Sequence, residues 1–281
     1  MIHLDRAQLS SQLAEQFGDN IALLDDDKNQ QWSYRDLAQH TQYWRTQFKN
    51  HQLVQGDVVI WFAKNRLDFF AVLFAALESG IILLPLNWRE SLSVQAATIA
   101  LTNAQLILFE NQFEQTVEQL QEQFSLKSAL IDTPNNPVCE QEELGQPLPM
   151  HQPWFLLFTS GTTDTPKAVI YNWTMTMANA ANVQRMVPLN VTDQTLSVLP
   201  LYHTAGINLF ALPMLFKGGS VVVMSDTSAT AIADVLIKYP VSVLLLVPTL
   251  LQKLADLPDF QKLECLNNKL KLLASGGAML A

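Results

Sequence analysis

Cysteine is scarce in this sequence: Cys139 and Cys265 are the only two among 281 residues. They have none of the short spacings typical of metal ligands. Two isolated thiols in an acidic chain are typical of a protein that stays in the reducing cytoplasm, although the two could in principle pair. We therefore expect a cytoplasmic protein without a metal site of its own.

Positive charge is also in short supply. Lys and Arg number 17 against 26 Asp and Glu, which gives a net charge of -9. Such a chain is repelled by nucleic-acid phosphates and by anionic lipid, so a nucleic-acid partner is not expected. The start, MIHLDRAQLS, has no basic segment followed by an apolar one, and no signal or transit peptide is predicted. These absences favour a small-molecule partner.

An uninterrupted apolar segment of membrane-spanning length is missing as well. The nearest candidate is Phe69–Trp88, FFAVLFAALESGIILLPLNW, which Glu78, Gly80 and Pro85 interrupt. Its first half has a helical pattern and its second half is β-branched, so no membrane span is predicted. The hydrophobic fraction of 49% is nevertheless enough for the large core of roughly two domains.

Apolar runs of strand length recur along the chain. They are continuous rather than alternating, as in strands buried on both faces of a parallel sheet. Segments with helical spacing separate them, such as NQFEQTVEQLQEQF, whose apolar residues recur at intervals of three and four. This alternation predicts an α/β fold with mostly parallel sheets. The runs are 58–63, 81–86, 106–109, 196–200, 220–224 and 241–247.

A loop rich in hydroxyl groups, FTSGTTDTPKA, joins two apolar segments at Phe158–Ala168. Hydroxyls, backbone N–H groups near a glycine and a lysine are the groups that bind phosphate oxygens. A Walker A loop would need a glycine and a hydroxyl where Pro166 and Ala168 stand, and it would open a helix, so a P-loop NTPase is excluded. The strand-like flanks predict a hairpin connection. A hydroxyl-rich surface turn is the plain alternative.

The order of residues in this loop resembles the signature of the adenylate-forming acyl-CoA synthetase superfamily, also called AMP-dependent synthetases and ligases. That signature is an apolar residue followed by Thr-Ser-Gly-Thr-Thr-Gly-x-Pro-Lys, and the only departure is Asp164, where the family has glycine. Three further segments resemble family motifs in the family's order: PLNWRES at 85–91, LPLYHTAGI at 199–207 and SGGAML at 275–280. The resemblance extends from Gln8 onward.

The resemblance implies a reaction in two steps. A carboxylate attacks the α-phosphate of Mg-ATP to give an acyl-adenylate and pyrophosphate, and a thiol, usually that of CoA, then takes the acyl group. The cofactors of the complete enzyme would be ATP, Mg²⁺ and CoA. The partners would be ATP or AMP and a carboxylic acid, for which a fatty or aryl acid is expected.

The resemblance also assigns roles to individual residues. The β- and γ-phosphates would be held by Thr159, Ser160, Gly161, Thr162, Thr163 and Lys167. Lys167 would be the countercharge to the departing pyrophosphate, and His203 would position groups beside the acyl and adenylate site. Without the resemblance, a lone histidine is more often a core residue. The loop along the adenine would consist of Gly276, Gly277 and Ala278. The segment INLFALPMLF after His203 could line an acyl pocket or belong to the core.

The fold implied by the resemblance consists of two layered α/β subdomains. One would comprise residues 54–190 and end in the phosphate-loop hairpin, and the other would join residues 1–53 to 191–281. Family members continue for about as long again, with a glutamate motif and a C-terminal lid domain that carries a catalytic lysine. We therefore expect the N-terminal part of a synthetase, inactive or nearly so on its own.

Two further expectations follow. Apolar surface left uncovered would favour self-association or binding of the missing C-terminal half. A non-catalytic nucleotide-binding or protein-interaction module, derived from such an enzyme, remains the alternative.

Overall fold

The computed structural model describes residues 4–135, 137, 149, 151–159, 166–258 and 269–277. The strands are β1 Ile21–Asp25, β2 Gln30–Ser33, β3 Val58–Phe62, β4 Ile82–Pro85, β5 Ala104–Phe109, β6 Lys127–Leu130, β7 Pro153–Thr159, β8 Lys167–Asn172, β9 Gln194–Ser197, β10 Ser220–Val223, β11 Val243–Leu246 and β12 Leu272–Ser275. The helices are α1 Leu9–Phe17, α2 Tyr34–Asn50, α3 Asp68–Ser79, α4 Leu92–Ala100, α5 Glu114–Gln121, α6 Trp173–Met186, α7 Ala211–Leu215, α8 Ala229–Lys238 and α9 Pro248–Ala255.

Two compact units contain one sheet each. The first unit consists of Met1–Gly18, Tyr34–Lys64 and Asp68–Met177, and the second of Asp19–Ser33, Asn65–Leu67 and Ala178–Ala281. In the described part of the chain each sheet has six strands, in the orders β6-β5-β3-β4-β7-β8 and β12-β11-β9-β10-β1-β2. All pairs are parallel except the β7–β8 and β1–β2 hairpins. The predicted α/β fold with mostly parallel sheets is confirmed.

The apolar segment at Phe69–Trp88 forms a helix and a strand inside the first unit. Helix α3 is buried on all sides, including Glu78, which is 3% exposed. The Glu78 carboxylate accepts a hydrogen bond from the backbone N–H of Ser10 at 2.7 Å and lies 3.5 Å from Nη1 of Arg45. The buried charge is thereby compensated, as a buried carboxylate requires. Among the described residues, no helix combines the length and hydropathy that crossing a bilayer requires.

A buried carboxylate also forms hydrogen bonds between strands of the second sheet. Asp193, just before β9, is 2% exposed and accepts hydrogen bonds from Ser242 Oγ at 2.8 Å and Lys271 Nζ at 2.9 Å. Burial would raise the pKa of Asp193, but hydrogen bonds from Lys271, Ser242 and the backbone of Asn190 hold it below its ordinary value. One side chain therefore links the starts of β9, β11 and β12.

The N-terminal segment divides between the two units, so their bounds differ from the predicted subdomains. Met1–Gly18 and Tyr34–Lys64 belong to the first unit because α1 and α2 pack with α3. Only Asp19–Ser33 joins the second unit, because β1 pairs in parallel with β10. The later boundary falls at Met177 rather than at residue 190.

Candidate functional site

The phosphate-loop segment is the connection of an antiparallel hairpin, as its strand-like flanks predicted. Strands β7 and β8 pair from Pro153 to Thr159, and the last pair joins Thr159 to Lys167. The rings of Phe155 and Tyr171 stack across the ladder with centroids 4.7 Å apart and planes at 6°, which fixes the register. Four predicted ligands, Ser160, Gly161, Thr162 and Thr163, lie outside the described residues, as does Asp164.

Thr159 and Lys167 are both exposed and lie at the edge of the first sheet that is formed by the carboxyl ends of its parallel strands. Thr159 is the last residue of β7, and Lys167 is the first residue of the antiparallel β8. Because β7 runs parallel to β4, this is also the edge where β3, β4 and β5 end. The hairpin thus holds a hydroxyl and an ammonium group opposite each other at the edge where ligands of open α/β sheets bind.

A second group of cations lies at the same edge. The ring of Trp88, after β4, has Arg89 Cζ at 4.9 Å and Lys64 Nζ at 5.8 Å from its centroid, both within the range of cation–π contacts. Glu110 is nearby, since its carboxylate accepts a hydrogen bond from the backbone N–H of Lys64 at 3.2 Å. This part of the edge can hold an anion, with Glu110 limiting its positive potential.

His203 lies beyond the carboxyl end of β9, in the second unit. Its side chain is exposed, whereas Leu201 and Tyr202 just before it are buried. The His203 ring packs edge-on against Tyr202, with centroids 4.7 Å apart and planes at 65°. Its backbone N–H donates to the carbonyl of Pro200 at 3.1 Å. His203 is therefore a surface residue on a well-anchored loop, and the core interpretation of this histidine is wrong.

Gly206 explains the spacing of the histidine motif. Its backbone N–H donates to the carbonyl of His203 at 3.1 Å. A Cβ at this position would lie 2.5 Å from the carbonyl oxygen of Pro200 and 2.8 Å from that of Leu199, which no side chain tolerates. The loop thus folds back on itself at a glycine. It continues into a π-helical turn, Ala205–Leu209, a local form that is frequent at functional sites.

The apolar residues after His203 divide between the core and a small cavity. Ile207, Leu212 and Met214 are completely buried. The cavity is lined by Thr195, Leu196, Ser197, Leu199, Ala205, Gly206, Phe210, Ala211 and Leu245. The hydroxyl of Ser197 is buried and has no hydrogen-bond partner among the described residues. Ile207, Leu212 and Met214 therefore belong to the core, whereas Phe210 and Ala211 line the small cavity.

The glycine pair lies at the carboxyl edge of the second sheet, where the His203 loop also begins. Gly276 follows β12 directly and has open space where a side chain would project. Gly277 has a φ of +87°, which favours glycine, and a Cβ there would lie 3.7 Å from Cγ1 of Val247 after β11. Ala278 lies outside the described residues. Within the second unit, the glycine pair and the His203 loop thus follow parallel strands of the same sheet.

Among the residues that the structure describes, no group of three or more His, Cys, Asp or Glu side chains could hold a metal ion.

Comparison with known proteins decides the family. Residues 11–281 match the family described as AMP-binding enzyme. The chain belongs to this family. The resemblance to the adenylate-forming superfamily is thereby confirmed. Feruloyl-CoA synthase from Amycolatopsis sp. is 26% identical over 225 residues, which cover 79% of this chain and 44% of the relative. Indoleacetate–CoA ligase from Aromatoleum aromaticum is 24% identical over 262 residues, 88% of this chain and 50% of the relative.

The fold of this AMP-binding enzyme family member is also that of a solved relative. The crystal structure of ATP-bound MatB from Rhodopseudomonas palustris superposes with a TM-score of 0.84 at 18% identity, over 98% of this chain and 55% of the other. At this identity, the likeness shows the fold alone. The chain spans about half the length of the curated relatives it matches.

The sequence motifs did not reveal one contact at the His203 loop of this member of the AMP-binding enzyme family. The side-chain amide of Asn65 hydrogen-bonds to the backbone of Leu199 and Leu201. The sequence offered one indication of this role. Asn65 follows β3 closely, and functional residues commonly lie just after the carboxyl end of a parallel strand.

Proposed function

We propose that the chain is the N-terminal part of an ATP-dependent acyl-CoA synthetase. The carboxylate oxygen of the acid would attack the α-phosphate of ATP, the bond between the α- and β-phosphates would break, and pyrophosphate would leave. The thiol of CoA would then attack the acyl carbonyl, lose its proton and release AMP. The names of the curated relatives, feruloyl-CoA synthase and indoleacetate–CoA ligase, support this reaction class.

The observation that carries the proposal is the pairing of Thr159 with Lys167 at the end of the hairpin. Pyrophosphate gains negative charge as it leaves, so a fixed cation beside it lowers the barrier. An ammonium group on the first residue of a strand, opposite a hydroxyl on the last residue of its partner, is suited to that task. The residues proposed to hold the β- and γ-phosphates are Thr159, Ser160, Gly161, Thr162, Thr163 and Lys167.

The acid and the adenine are proposed to bind at the carboxyl edge of the second sheet. His203 is exposed there, on the loop that follows β9. The names feruloyl-CoA synthase and indoleacetate–CoA ligase support an aryl acid, and a fatty acid is proposed beside it. The adenine would lie along Gly276, Gly277 and Ala278, and the open space at Gly276 supports this placement.

The isolated 281-residue chain is proposed to turn over poorly. Adenylation needs both ends of the nucleotide held and water excluded, and this chain matches only about half of its relatives. Mg²⁺, when bound, would neutralise phosphate charge. A non-catalytic nucleotide-binding or interaction module is the second candidate, favoured by Asp164 in the phosphate loop. A cytoplasmic location is proposed with either.

Removal of the Lys167 charge tests the proposal. We expect Lys167→Ala to weaken ATP binding by about tenfold or more, as for the loss of a hydrogen bond to a charged group. Titration calorimetry of the purified chain with Mg-ATP measures the effect. Lys127→Ala is the matched control, because Lys127 is an exposed lysine that begins β6 and therefore lies at the opposite edge of the same sheet. Equal weakening by both variants, or by neither, would overturn the assignment.

A further inference from the structure

We propose that Asn65 is a positioning residue for the loop that carries His203. The inference rests on the proposed function only for the part that concerns nucleotide or acid binding. Its structural part depends on the second unit alone, to which Asn65–Leu67 and the His203 loop both belong.

The contact consists of two hydrogen bonds from one amide to two residues of the loop. Nδ2 of Asn65 donates to the carbonyl of Leu199 at 3.0 Å, and Oδ1 accepts the backbone N–H of Leu201 at 3.2 Å. A carbonyl and an N–H two residues apart are what a neighbouring strand would engage. The side-chain amide thus makes the two bonds that a neighbouring strand would make.

These bonds act on the turn that sets the position of His203. The bonded residues, Leu199 and Leu201, enclose Pro200, whose carbonyl accepts the N–H of His203 at 3.1 Å. Where the chain turns back after His203, Gly206 lies so close to Leu199 that an added Cβ would be 2.8 Å from the Leu199 carbonyl oxygen. The carbonyl of Leu199 is therefore fixed by Asn65 and closely approached by Gly206. Displacement of this peptide would move the backbone that carries the imidazole.

Only an amide of this length supplies both bonds. Alanine supplies neither, and aspartate keeps the acceptor for the N–H of Leu201 but loses the donor at neutral pH. In Asn65→Asp the carboxylate would face the carbonyl oxygen of Leu199, and two oxygen acceptors cannot bond to each other. Protonation gives the carboxyl group an O–H that donates to this carbonyl, so the pKa of the introduced aspartate is raised. The Asn65→Asp variant should therefore recover the second bond as the pH falls.

The loop is anchored independently of this amide. Leu199, Leu201 and Tyr202 are each 7% exposed or less, so their burial holds the segment on the protein. Loss of the two hydrogen bonds should therefore alter the conformation of the loop more than the stability of the fold. That difference separates a positioning residue from a structural one.

The test compares Asn65→Ala and Asn65→Asp with Asn87→Ala in the full 281-residue chain. Asn87 is a control of the same residue type, whose amide also makes two hydrogen bonds, to Glu90 Oε1 at 3.2 Å and from the N–H of Arg89 at 3.0 Å, within an exposed turn. The measurements are the ring chemical shifts of His203 and hydrogen exchange of the Leu201 amide, both by NMR. A His203→Gln variant assigns the ring signals.

We expect Asn65→Ala to shift the His203 ring signals and to accelerate exchange at Leu201 about tenfold, with Asn87→Ala changing neither. Asn65→Asp should give an intermediate shift at neutral pH that returns toward the unmodified spectrum as its carboxyl group is protonated. Unchanged His203 signals in Asn65→Ala would overturn the proposal. If Asn65→Ala fails to fold, Asn65→Asp decides the question, and the absence of a pH-dependent return overturns it.

AMP binding distinguishes this proposal from the proposed function. Weaker AMP binding to Asn65→Ala than to the unmodified chain supports both. If AMP binds Asn65→Ala and the unmodified chain equally, the functional part of the positioning role is overturned while the proposed function stands. If the unmodified chain does not bind AMP, the proposed function fails, and the His203 signals still decide the structural part.

Discussion

Asp164 stands where the signature of the superfamily has glycine, in a loop proposed to hold phosphates. Aspartate tolerates a positive φ better than most residues, so the turn itself can form. Its charge is the greater cost. At about 6 Å from a phosphate charge and an effective dielectric constant of ~20 to 40, repulsion amounts to about 1 to 3 kcal/mol. Asp164 lies outside the described residues.

We predict that Asp164→Gly and Asp164→Asn both tighten ATP binding by about tenfold at low salt, because both remove the charge. Titration calorimetry measures the affinity. Asp164→Asn removes the charge but keeps the shape of the side chain. If only Asp164→Gly tightened ATP binding, the cause would be the backbone conformation and not the charge. Asp132→Asn is the control for net charge in the same unit. Identical affinities for all four proteins would contradict the prediction.

Helix α2 carries a buried histidine whose ionisation should make the first unit sensitive to acid. His40 is 1% exposed. Burial lowers its pKa to about 4, against opposing effects of Asp68, Asp36 and the backbone of Asn135. Because the folded state favours the neutral ring, this contribution to stability is complete above the unfolded pKa of about 6.5 and is lost as the pH falls toward 4.

The expected loss in the free energy of unfolding between pH 7 and pH 5 is about 1 to 2 kcal/mol. His40→Gln should reduce this pH dependence, because glutamine does not titrate. His151→Gln, which replaces an exposed histidine, should leave it as in the unmodified chain. Urea unfolding at the two pH values provides the measurement. Equal pH dependence in all three proteins would show that His40 is not the group responsible.

At the scale of elements, the sequence predicted the strands with continuous apolar runs and both strands of the β7–β8 hairpin, and it overlooked β1, β2, β6 and β12. The continuous run at 58–63 corresponds to β3, in which every residue is buried. Strand β2 has the polar sequence QQWS and lies at a sheet edge, and β12 is an edge strand with partly exposed residues. A continuous apolar run indicates two covered faces, so edge strands do not produce that signal.

Contacts between segments far apart in the sequence could not be predicted, for a different reason. The hairpin with Thr159 and Lys167 was predictable because its strands are neighbours in sequence. Asn65, by contrast, lies 134 and 136 residues before its two partners. Such a contact depends on a topology that returns Asn65–Leu67 to the second unit. For the same reason the sequence did not predict that α1 and α2 would belong to the first unit while β1 pairs with β10 in the second.

At the scale of the whole molecule, the isolated chain should bind a nucleotide without completing the reaction. We predict that the purified chain shows no carboxylate-dependent exchange between ATP and pyrophosphate above background, because one lysine and one loop leave the nucleotide accessible to water. Exchange of labelled pyrophosphate with fatty and aryl acids is the measurement. A full-length CoA ligase assayed with its own acid is the positive control. Robust exchange by the chain alone would refute this prediction.

The same assay separates the two candidate functions. A C-terminal half from a full-length relative, added to the chain, would restore exchange in an acyl-CoA synthetase. A binding module would retain ATP affinity and remain inactive with the added half. Lys167→Ala in the restored assay would then test the role of that lysine in turnover.

The fixed register of the β7–β8 hairpin has a consequence for protein engineering. Its ladder and the stacked rings of Phe155 and Tyr171 hold the two ends of the loop in place. Residues 160–166 can therefore be exchanged for the loop of a relative, even one of another length, while Thr159 and Lys167 stay opposite each other. A slip of one residue along β8 would instead turn Lys167 to the opposite face. Loop grafts that leave both strands intact should therefore replace the segment proposed to hold the phosphates and keep the register of β7 and β8.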